Sequence, residues 1–65
     1  MEINITIKAP DSKYDRDFIV FDRAENANDR GQALLTQMKN DFPARNYNSF
    51  TTTLNPNRTF ILKNT

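Results

Sequence analysis

Asp11, Asp15 and Asp17 fall close together in one short polar stretch, and three carboxylates so grouped have the chemistry to hold a hard cation such as Ca²⁺ or Mg²⁺. Their spacing matches no EF-hand loop, no glycine supplies the sharp turn, and Lys13 and Arg16 interleave to neutralise them. A solvated loop is the better reading, so no metal site is assigned. The same acids could act as a proton-transfer pair only if burial or a cleft separated their pKa values, and the sequence gives no sign of either. Thr51, Thr52 and Thr53 form a run of hydroxyls, but a threonine nucleophile needs a general base beside it. The run is better explained by β propensity.

The missing residue types narrow the chemistry further. The chain of 65 residues has no histidine, cysteine or tryptophan and one glycine. The usual proton shuttle, metal ligands and thiol nucleophile are therefore absent, and one glycine cannot build a phosphate-cradling loop. The expectation is a protein that is not an enzyme and takes no cofactor. The same absences remove disulfide and zinc staples, although a domain of this size buries only about 60% of its unfolded surface. Efficient packing or association with another chain must supply the rest.

Net charge is +1, unevenly spread along the chain. Residues 11–29 hold six acids against three bases, and residues 30–65 hold five bases against Asp41 alone. The basic half contains Arg45, Tyr47, Arg58 and Lys63, with Phe50 and Phe60 nearby. Bases beside aromatics on a sheet can contact phosphates while rings stack on nucleobases. That makes nucleic-acid binding by a basic C-terminal hairpin the alternative function, although the charge is far from the strong basic excess of such domains.

Positioning these residues falls to five expected elements. Ile3, Ile5 and Ile7 alternate with Asn4, Thr6 and Lys8, the period of a strand with one buried face. Asp17 and Asp22 bracket the apolar run Phe18, Ile19, Val20 and Phe21, a second strand. Gly31, Leu34, Leu35, Met38 and Phe42 then recur at helical spacing and predict an amphipathic helix over residues 27–41. Asn26 or Asn28 is its expected N-cap, and Phe42-Pro43 its stop. Residues 47–54 and 59–63 read as two strands of a hairpin joined by Asn55, Pro56, Asn57 and Arg58.

The order strand, strand, helix, strand, strand predicts one α+β domain over residues 1–65, in two layers, with one helix on a four-stranded, mainly antiparallel sheet. The expected core joins the three isoleucines to Phe50, Leu54, Phe60 and Leu62 of the hairpin and to Leu34, Leu35, Met38 and Phe42 of the helix.

One helix covers one face, so the other face is exposed. Alternation assigns it Tyr47 and Ile61, with either Phe18 and Val20 or Ile19 and Phe21 from the second strand. Phe18, Phe21, Tyr47 and Ile61 are thus expected to form an apolar protein-interaction patch, unless the loop carrying Tyr14 folds over it. The leading expectation is a non-enzymatic interaction module that presents this face or a sheet edge to a protein partner, with a homodimer as one form. In size and economy it is like a small phage or plasmid accessory or inhibitory protein. No membrane-spanning or signal-peptide pattern is present, and a cytoplasmic location is expected.

Overall fold

A computed structural model describes residues 2–63 of the chain; Met1, Asn64 and Thr65 lie outside them. The strands are β1 (Glu2–Ile7), β2 (Phe18–Arg23), β3 (Ser49–Thr52) and β4 (Thr59–Ile61), and the helix α1 spans Ala27–Asp41. They form one antiparallel sheet in the order β2-β1-β3-β4 with α1 across one face, the expected α+β arrangement.

Register decides what meets the helix. Ile5 lies opposite Val20 on one side and Thr52 on the other, while Ile7 lies between Phe18 and Phe50. Cross-strand partners share a face, so Ile3, Ile5, Ile7, Phe18, Val20, Phe50 and Phe60 all point toward α1. The helix answers with Ala27, Gly31, Leu35 and Met38, all buried at i, i+4 or i+3 spacing. Gly31 is required by this contact. A Cβ there would fall 2.5 Å and 2.6 Å from Cε2 and Cε1 of the Phe50 ring, and closer still to its Cζ.

The ends of α1 differ from the expectation in one respect. Asn26 occupies the N-cap position, but its side chain makes no cap hydrogen bond. Its Nδ2 instead donates to Asp22 Oδ1 at 3.2 Å, tying the preceding 3-10 turn, Ala24–Asn26, back to β2. At the other end Phe42 leaves helical geometry before Pro43, as steric restriction by proline requires.

Two expected core residues lie elsewhere. Leu54 falls beyond the end of β3, where strand alternation no longer applies, and is exposed in the turn to β4. Phe42, also exposed, keeps ring contacts with Phe18 and Tyr47. Ala9, Ala27 and Tyr47 complete the core in their place.

Candidate functional site

The uncovered face follows from the same register. A row of Ile19, Thr6, Thr51 and Thr59 crosses all four strands, with Asn4 beside Phe21 on one side of it and Ser49 beside Ile61 on the other. Phe21 is 58% exposed and Ile61 72% exposed. They belong to opposite outer strands and to opposite ends of the sheet, separated by Asn4, Thr6, Thr51 and Ser49. The face is a polar surface with an apolar residue at two corners, and the expected continuous patch does not form.

Phe18 and Tyr47 lie on the other side of the sheet. Phe18 faces α1, its ring centroid 6.1 Å from Phe42 and 5.5 Å from Tyr47, and Tyr47 is only 4% exposed. The reason is local. After the 3-10 turn Pro43–Arg45, Asn46 adopts a left-handed conformation with φ 59°, and β3 begins only at Ser49. Tyr47 therefore precedes the strand and escapes its alternation. Asparagine tolerates that region of backbone space better than most residues, so Asn46 was the one sequence signal for the break.

The loop between β1 and β2 is built on Asp17. Its Oδ2 accepts the Ala9 N–H at 2.9 Å, its Oδ1 accepts the Ser12 hydroxyl at 2.7 Å, and Arg45 lies 3.9 Å away. The Ala9 amide, then the Ser12 hydroxyl, hold the Asp17 carboxyl below its ordinary pKa, with the Arg45 charge adding to them. The lowered pKa means that the folded state binds fewer protons here than the unfolded chain. Stability from Asp17 is fully present above the unfolded aspartate value and is lost as pH falls through the folded one. Asp22 acts in the same sense, lowered first by the Arg23 amide and then by Asn26.

We therefore expect the thermal midpoint to fall between about pH 5 and pH 2, and Asp17→Asn to flatten part of that fall while lowering the midpoint at pH 7. Circular dichroism melts across that range test this; parallel curves for the two proteins would remove Asp17 from the account.

With Asp17 used in this way, Asp11 and Asp15 stand apart from it chemically. Among the described residues no group of three or more acidic, histidine or cysteine side chains is placed to hold a metal ion. The loop borders a recess of about 250 Å³ on the uncovered face, where Pro10 and Asp15 meet Thr6, Lys8 and Ser49. It leaves Tyr14 pointing to solvent and covers neither Phe21 nor Ile61. The threonine hydroxyls are also structural: Thr52 Oγ1 accepts the Asn55 N–H at 3.1 Å, and Thr53 Oγ1 accepts the Asn4 N–H at 3.0 Å.

The residues of the basic hairpin divide into two groups. Arg45 and Tyr47 sit where the exit of α1 meets the start of β2, beside Asp17 and Phe18. Arg58 and Lys63 flank β4, with the Arg58 guanidinium 4.5 Å from the Phe60 ring centroid. They do not make one basic surface.

The two sheet edges differ, and sequence reasoning missed this. The Asn4 carbonyl accepts the Thr53 N–H on the β3 side, which turns the peptide groups of Ile3, Ile5 and Ile7 toward β2. By register those of Phe18, Val20 and Asp22 point inward, and those of Ile19 and Phe21 face outward along the free edge. The Arg23 N–H is taken by Asp22 Oδ1 at 2.7 Å. On β4 the Leu62 N–H donates inward to Asn48, so the groups of Ile61 and Lys63 face outward. There the Gln32 side chain acts as a strand partner. Its Nε2 donates to the Ile61 carbonyl at 2.9 Å, and its Oε1 accepts the Lys63 N–H at 2.9 Å. Among the described residues the β2 edge is open, and the β4 edge is held at two groups by Gln32.

No helix among the described residues is long and apolar enough to cross a membrane. No protein-family model matches the chain, and comparison with curated proteins and with solved structures finds no significant match.

Proposed function

We propose that this domain is a non-enzymatic protein-interaction module whose working surface is the free edge of β2 with the exposed side chain of Phe21 and the half-buried side chain of Ile19, and that its partner is a second copy of the chain. The observation that carries the reading is the asymmetry of the edges. An open strand edge is a template for pairing, and proteins that do not use one normally block it. Gln32 takes two of the outward peptide groups along β4, while among the described residues those of Ile19 and Phe21 have no strand partner.

A twofold axis at Val20 would set Ile19 opposite Phe21 of the second copy, and Phe21 opposite its Ile19, each pair exchanging both peptide hydrogen bonds. The two side chains share the uncovered face with their partners across the seam, so the pairing buries apolar surface where the monomer exposes it. With one open edge per copy, association closes at two. The added buried area also answers the marginal stability of a small domain without disulfide or metal. An accessory or inhibitory role in the cytoplasm belongs to the same proposal.

A single strand pairing makes a small interface, so the dimer should be weak, with a dissociation constant on the order of micromolar or higher. Sedimentation equilibrium over a wide concentration range should show a monomer–dimer equilibrium that Phe21→Lys shifts fully to monomer while the circular dichroism spectrum is kept. A protein that stays monomeric at millimolar concentration, or a dimer indifferent to Phe21→Lys, would overturn the proposal. The nucleic-acid alternative draws support only from Arg58 and Lys63, because Arg45 lies against Asp17 and Tyr47 is buried.

A further inference from the structure

We infer that Gln32 is a plug on the β4 edge, and that the segment it excludes is the β2 strand of another copy of this chain. The inference rests on the reading that β2 offers a pairing edge, and it adds the identity of what the opposite edge is built to refuse.

Gln32 lies on a helix and Ile61 and Lys63 on an edge strand, yet the carboxamide holds the carbonyl of one and the N–H of the other at 2.9 Å each. These are two outward groups that an added strand would need. Beside them a recess of about 440 Å³ lies between α1 and β4, bordered by Asn28, Gln32, Arg58 and Lys63. It leaves room for the side chains of an incoming strand.

Charge and register point to β2 as that strand. Antiparallel pairing that sets Ile19 against Ile61 also sets Phe21 against Thr59 and Asp22 against Arg58. An acid near the end of β2 meets a base just before β4, and the exposed Ile61 meets the half-buried Ile19 on the uncovered face. In this register the Ile61 carbonyl would accept the Ile19 N–H, in the place that Gln32 Nε2 occupies. The same surfaces on every copy make such a contact head-to-tail, and head-to-tail contacts that do not close produce open filaments. A chain whose two edges attract each other needs one of them stopped.

The test is Gln32→Ala, a change at a helix position whose side chain packs into no core and where alanine is a good helix former. Sedimentation velocity should show Gln32→Ala growing beyond two copies as concentration rises, while the wild type stops at two. Growth should reverse on dilution, weaken with salt because paired charges close the register, and disappear in Gln32→Ala/Phe21→Lys.

If the wild type dimerises and Gln32→Ala goes no further, the plug is overturned and the interaction reading stands. If the wild type stays monomeric and Gln32→Ala assembles through Phe21, the plug is supported and the twofold dimer falls. Irreversible aggregation indifferent to Phe21→Lys counts against the plug.

Discussion

Replacing Tyr47 by alanine is expected to unfold a large fraction of the molecules at room temperature. The ring is 4% exposed and packs edge-on against Phe18 and Phe42, with centroids 5.5 Å and 6.4 Å away. Truncating a buried aromatic of this kind costs about 3–5 kcal/mol. A chain of 65 residues has roughly 3–10 kcal/mol of stability in total. Urea titration followed by circular dichroism measures the loss, and a midpoint equal to that of the wild type would show that the cluster of Phe18, Phe42 and Tyr47 contributes nothing to the core. The experiment also separates two roles that the alternation pattern merges: Tyr47→Ala should damage folding, whereas Phe21→Lys should damage association and leave the fold near its original stability.

Gly31→Ala is the second change expected to act strongly, and against the usual rule. Alanine at an exposed helix interior gains about 1 kcal/mol over glycine. Here the new methyl would enter the Phe50 ring, which is fully buried and stacked on Phe60 with centroids 5.0 Å apart and planes 8° from parallel. Overpacking of this kind costs about 1–3 kcal/mol, so the substitution should destabilise on balance. Thermal melts of Gly31→Ala, Phe50→Leu and the double variant test the account. The double variant should recover part of the stability of Gly31→Ala, because leucine vacates the space the methyl needs. A Gly31→Ala protein more stable than the wild type would mean that helix propensity decides this position and the contact does not.

Much of the fold was legible because it depends on short-range periodicity. Isoleucine at every second position of β1 can present only one apolar face, and residues 27–41 bury one stripe only if wound as a helix. The stop at Phe42-Pro43 and the turn at 55–58, where the Arg58 N–H donates to Asn55 at 3.0 Å, are equally local. Alternation failed where the strand it presumed was shorter than the β-rich run. Tyr47 and Leu54 lie just outside Ser49–Thr52; Tyr47 is buried where exposure is expected, and Leu54 is exposed where burial is expected.

The candidate site was less legible, because its parts come from distant stretches of chain. That Ile19 and Phe21 share the uncovered face was one of two registers the sequence allowed, and pairing with β1 selected it. Nothing in the surroundings of Gln32 marks it as more than a polar residue on a helix surface, since its partners lie 29 and 31 residues away. Composition by itself narrowed the chemistry: a chain without histidine or cysteine has no imidazole or thiol to offer, whatever its fold, and its carboxylates and hydroxyls are what remain. Periodicity determined the two layers and which side chains meet. Only the tertiary structure decided that the apolar corners of the open face are far apart, that a helix side chain bonds the edge of β4, and that the single glycine sits where an aromatic ring touches the helix. Each of these depends on distances between elements, which local patterns along a chain do not contain.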